Sequence, residues 1–361
     1  MHHTSARIAI SRILEGSGFG ERALALATAA ALGDADEQAA ELRQAALQQA
    51  ALLEPDPLAT PDPRLISLPL PTTDSELCRQ IMPALIADPR DTGMGLALLV
   101  ALVQLWPHVG SDERPLMRLR LLTGLAALHA PDGAGLPPSQ LSAWQRDMPT
   151  SPGETLLTVA SLKSLLAQDT PREAYRVIAD HLGTAPDFPT LAWALGALTV
   201  QTRLQFHDPH CQLLHVLSGT VALERLCAWA APEHLASVTV QVAHQLWWCR
   251  HRAMLAPIRQ CLDRATPSLA EAVAAGDLTL AQRAARVAGK EAGNFWEASW
   301  RLLAELIAAR DLRWSTAMIA ITATAWRTSA DAISPDDAAL VGTVLADLAY
   351  REKSGPVLAV H

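Results

Sequence analysis

The chain has 361 residues, of which 50% are hydrophobic, 4% aromatic and 18% charged. That length suits one large or two ordinary domains with a sizeable core, and that composition excludes a disordered chain. The formal charge is -8 and only Lys163, Lys290 and Lys353 are lysines, so no basic run offers an electrostatic footing for nucleic acid.

The apolar mass is largely Ala, Leu and Val, which favours helices packed at short range over sheets. Five cysteines (Cys78, Cys211, Cys227, Cys249, Cys261) form no CxxC spacing, so buried thiols in a reducing, cytoplasmic compartment are expected. Met1 leads into polar residues without an apolar leader. The most apolar stretch, Met94 to Val109, carries Gln104 and Pro107 and is too short to span a membrane.

In chain order, Glu21 to Leu32 and Ala39 to Leu53 read as helices, the first stopped by Gly33. Six prolines between Pro55 and Pro71 predict a long loop or extended linker over 55–73. Helices follow over 74–87, with Pro83 as a kink, 92–106, which is buried, and about 111–129. The breaks at Ala130-Pro131-Asp132-Gly133 and Pro137-Pro138 precede a second series, over 154–167, 171–182, 188–206, 209–230, 233–254, 268–288, 290–309, 312–327 and 335–352. Thr170-Pro171-Arg172-Glu173 carries a cap, a proline at the first helical position and an acid at the third. Val238 to Val242 alternates like a strand but sits inside a helical pattern. The reading is all-α: a multi-helix bundle or irregular array of antiparallel helices. Residues 1–148 form an N-terminal helical region and 149–361 a C-terminal one.

Six of the twelve histidines fall between residues 207 and 251. At 100° per residue, His244, Trp248 and His251 share one helix face. His215 lies a turn before Gly219, which predicts space for a small ligand beside the ring. Two consecutive helices bearing imidazoles can build a metal site within a bundle. The candidate ligands are His210, His215 and His244, with His207, Gly219, Trp247, Trp248 and His251 around a substrate pocket. The alternative is that each ring hydrogen-bonds separately to a backbone carbonyl and serves the core. Eight of ten tryptophans lie in the second half, either as core or as walls for a flat ligand. Gly16-Ser17-Gly18-Phe19-Gly20-Glu21 lacks the third glycine of a dinucleotide fingerprint, so no nucleotide cofactor is expected.

The run Asp208-Pro209-His210-Cys211-Gln212-Leu213-Leu214-His215-Val216-Leu217-Ser218-Gly219-Thr220-Val221-Ala222-Leu223 resembles the questin oxidase-like family. Ala275-Gly276-Asp277 is similar to a Gly-Asp helix start in that family, and the resemblance spans about 150–290. It implies an all-α oxygenase or oxidase acting on a small aromatic, polyketide-type molecule, with non-haem iron held by histidines. A lysine near the metal is also implied; here the helix after Asp277 carries Gln282 and Arg283, and the nearest lysine is Lys290. The competing functional reading is a non-catalytic helical interaction module.

Overall fold

The computed structural model describes residues 60–87, 91–126, 128, 133–146, 158–182, 186–208, 212–252, 255–258, 266–308 and 333–353. The helices expected over 21–32, 39–53 and 312–327 lie outside these residues. Within them the protein is all-α. The fourteen α-helices among the described residues run α1 Pro63–Ile66, α2 Asp74–Ala87, α3 Thr92–Leu105, α4 Arg114–Ala126, α5 Pro138–Arg146, α6 Val159–Ala167, α7 Pro171–Ala179, α8 Phe188–Gln205, α9 Gln212–Leu226, α10 Pro232–Arg252, α11 Leu269–Ala275, α12 Leu278–Ala288, α13 Ala292–Ala308 and α14 Pro335–Lys353. The strand content among the described residues is one antiparallel pair, β1 Phe206–His207 with β2 Ala256–Pro257.

The helices start where side chains meet the unpaired amides of a first turn. Thr158, Thr170 and Ser268 form reciprocal capping boxes with Ser161, Glu173 and Glu271. Asp91, Asp187 and Asp277 cap α3, α8 and α12 with their carboxylates. The single helix expected over 268–288 is two. Gly276 adopts a left-handed φ of 69° after α11, and Asp277 restarts the chain as α12.

Part of the expected 55–73 linker lies among the described residues, and it is held. Pro63–Ile66 is a short helix, and the Arg118 guanidinium on α4 donates to the carbonyls of Ile66, Leu68 and Pro69 at 2.8–3.0 Å. The Trp106 indole donates to Pro71 O at 3.2 Å. Proline breaks regular helix, but its carbonyl still accepts, and here those carbonyls face donors.

Helix α3 is apolar on every side, and all its residues except Gln104 are buried. It crosses α9, which also packs on α8 and α10. The crossing is close because both helices present glycine. A Cβ on Gly93 would meet His215 O at 1.9 Å, and one on Gly219 would meet Gly93 Cα at 2.9 Å. On the other side of α8, α14 packs against α11, α12 and α13. Trp296 and Trp300 of α13 are buried there with Phe295. No helix among the described residues is long and apolar enough to cross a membrane.

Candidate functional site

Gln212 opens α9 and places His215 in its first turn, where the crossing brings the N-terminus of α3 alongside. His215 Nδ1 lies 2.5 Å from Asp91 Oδ2. Asp91 is 4% exposed, while the His215 side chain is 20% exposed. The other Asp91 oxygen, Oδ1, accepts from Met94 N–H at 3.1 Å and from the Gln245 amide of α10 at 3.4 Å. Gln245 Oε1 in turn accepts from Gly93 N–H at 3.3 Å. Asp208, 1% exposed, accepts from Leu213 N–H at 2.7 Å and ties down the start of α9.

The charges follow from this arrangement. Burial pushes the Asp91 carboxyl up, but the His215 charge and hydrogen bond, with the Met94 and Gln245 donors, outweigh it and hold the group below its ordinary value. Burial pulls His215 down, but the charge and hydrogen bond of Asp91 and the charge of Asp208 outweigh it and raise the ring above its ordinary value. The same two carboxylates, after burial itself, push the Cys249 thiol well up, so Cys249 stays protonated and is a poor nucleophile.

The expected residues divide among separate places. His210 lies outside the described residues. Consecutive α9 and α10 do pack together, but His215 and His244 turn to different neighbours. His244 Nε2 donates to Gly133 O at 3.0 Å, and burial lowers the ring's pKa despite that carbonyl. Trp247 Nε1 donates to Gln168 O at 2.8 Å, and the exposed His251 donates from Nε2 to Leu166 O at 3.1 Å. Trp247 stacks between His244 and His251, with centroids 5.8 and 4.9 Å away. The half-buried Trp248 lies against Gly133. His207 on β1 meets Asp347 of α14 at 2.9 Å, and the buried Arg203 bonds the same carboxylate at 3.2 Å. The space expected at Gly219 is filled: the backbone of α3 lies against it, because two glycines let the helices touch. Among the described residues no three His, Cys, Asp or Glu side chains group to hold a metal ion.

Neither Asp91 nor Gln245 stands out in the sequence as a site residue. Asp91 has a visible signal, a helix-capping acid before an apolar run. Gln245 is a polar residue within a buried helical stretch. Their pairing spans 154 positions, and Asp91 with His215 spans 124, distances at which local periodicity carries no information. Comparison with protein-family models, curated proteins and solved structures returns no match.

Proposed function

We propose that Asp91 and His215 form the proton-handling centre of an enzyme that oxidises a small hydroxylated aromatic molecule. The observation that carries this reading is the 2.5 Å contact between a buried carboxylate and the Nδ1 of a partly exposed imidazole. The carboxylate fixes the proton on Nδ1, leaves Nε2 as the working nitrogen and stabilises the imidazolium that forms when Nε2 takes a proton. The raised pKa makes the ring a stronger base. A phenol that loses its proton to Nε2 becomes an electron-rich phenolate that molecular oxygen, the electron acceptor in this reading, oxidises more readily, which agrees with the resemblance of 208–223 to questin oxidase-like proteins.

Iron held jointly by His215 and His244 is not supported by the described residues: the two rings turn to different neighbours, Asp91 and Gly133, and no three His, Cys, Asp or Glu side chains there group to hold a metal ion. No step of this proposal passes through a metal. The second reading, a non-catalytic helical module, is favoured by one feature: His244, Trp247 and His251 each bond a backbone carbonyl, as core residues do.

The test is oxygen uptake and substrate loss over a panel of polyketide-type phenols, with the protein's metal content measured in parallel. Wild type should turn over at least one member. His215→Gln and Asp91→Asn should lose about 100-fold or more in rate, the scale of general acid–base catalysis, with helical content retained. Turnover unchanged in both variants, or no turnover by wild type, would leave the helical module as the reading.

A further inference from the structure

A second polar position lies away from the Asp91–His215 pair, under His244. The Gly133 carbonyl can only accept, so His244 Nε2 carries the proton and Nδ1 is a bare lone pair. Nδ1 is buried and has no hydrogen-bond partner among the described residues, and His244 is 8% exposed. Trp247 stacks on the ring and the Gly133 bond pins its far edge, so the imidazole cannot easily swing Nδ1 out to solvent.

The ring lines a cavity between α5, α7 and α10. Leu136, Trp144, Leu165, Tyr175 and Ile178 supply most of the remaining wall. About 10 Å³ there is open to the centre of a water-sized sphere, close to the least that holds one water. The walls are apolar or aromatic, carry the Tyr175 phenol and include no carboxylate. A cation would find a single nitrogen donor, and an anion would face its lone pair. An apolar occupant would leave Nδ1 unmet.

We propose that this cavity is a binding site for one neutral hydroxyl donor of about water size, which donates its proton to His244 Nδ1. The hydroxyl belongs to a water in the resting protein, and a small alcohol offers the same chemistry. The site is separate from the Asp91–His215 pair and does not depend on the function proposed for it.

Nitrogen-15 NMR of the full-length protein, labelled at histidine, reads the lone pair directly. His244 Nδ1 should resonate away from the unbonded imine position, with the proton on Nε2. Methyl groups of Leu136, Leu165 and Ile178 should show cross-relaxation to a long-lived water. Ala174→Val, which fills the cavity from α7 and keeps the histidine, should remove the water signal and return Nδ1 to the unbonded position. Methanol titration separates the sources: its methyl group replaces water at the same methyls if an organic hydroxyl is accepted, and the water signal persists if the site admits water alone. Both results keep the hydroxyl donor. An unbonded Nδ1 in folded wild type, a proton on Nδ1, or xenon occupancy without any change at Nδ1 would overturn the proposal.

Discussion

Two carboxylate oxygens at Asp91 serve three helices: the first turn of α3, His215 of α9 and Gln245 of α10. Removing one member of such a buried pair leaves the other uncompensated, at a cost of about 3 kcal/mol or more. The pH dependence has a definite sign. The folded pKa of His215 is raised, so its contribution is full below about 6.5 and is lost as pH climbs through the raised value. That of Asp91 is lowered, so its contribution is full above about 4 and is lost as pH falls through the lowered value. The stability gap between wild type and His215→Gln should therefore be widest between about pH 4 and 6.5. It should shrink toward pH 9, as read from urea unfolding at fixed salt. A gap that grows with pH would contradict the pairing. A parallel expectation holds at Arg203, which is 1% exposed and faces Asp347. Asp347→Ala should destabilise by about 3–5 kcal/mol by stranding a buried guanidinium, whereas Arg286→Ala, at an exposed pair with Asp336, should cost about 1 kcal/mol or less.

Helix starts were the most legible elements, because caps act over three or four residues. Thr170 with Glu173 is readable as text and forms the reciprocal bonds expected of it. What the text did not disclose is which faces meet. Gly219 reads equally well as room for a ligand or as a seat for another backbone, and only its partner Gly93 decides. The histidines show the same limit. A ring on an apolar helix can find a carboxylate, as His215 does, or a carbonyl, as His244 does, and the sequence around the two is equally apolar. The crossing gives a test at this scale. Gly93→Ala forces a Cβ into the His215 carbonyl and should cost about 3 kcal/mol or more, since backbone cannot step aside. Gly95→Ala meets the flexible end of Leu85 at 2.8 Å and should cost clearly less. Equal losses in thermal unfolding would mean that α3 and α9 do not cross as described. Gly276→Ala, at a φ of 69°, should lose about 1 kcal/mol through backbone strain alone.

At the scale of the molecule, the all-α class followed from composition and periodicity, whereas the arrangement did not. The reason is that the principal contacts join distant segments. Helix α3 packs on α9, and α8 packs on α14. The bonds from Asp91 to His215 and Gln245 run across residue 148, so neither 1–148 nor 149–361 contains the whole pair. Each region expressed alone should lack the pH-dependent stability described above. Mixing the two should restore it if they reassemble, as followed by urea unfolding at pH 5.5 and pH 9.

The burial of α3 on every side has a consequence for synthesis. A helix that is apolar all round has no face it can show to water, and its main partner α9 begins at Gln212, about a hundred residues later. At about 5–20 residues per second, roughly 5–20 s pass before that partner leaves the ribosome. During that interval α2 and α4 can cover α3 only in part, and the face of α3 that α9 will cover stands open. The stretch from Thr92 to Leu105 is therefore where a nascent chain would need shelter. It also makes slowing translation just before Gln212 a sensitive way to lower the yield of folded protein.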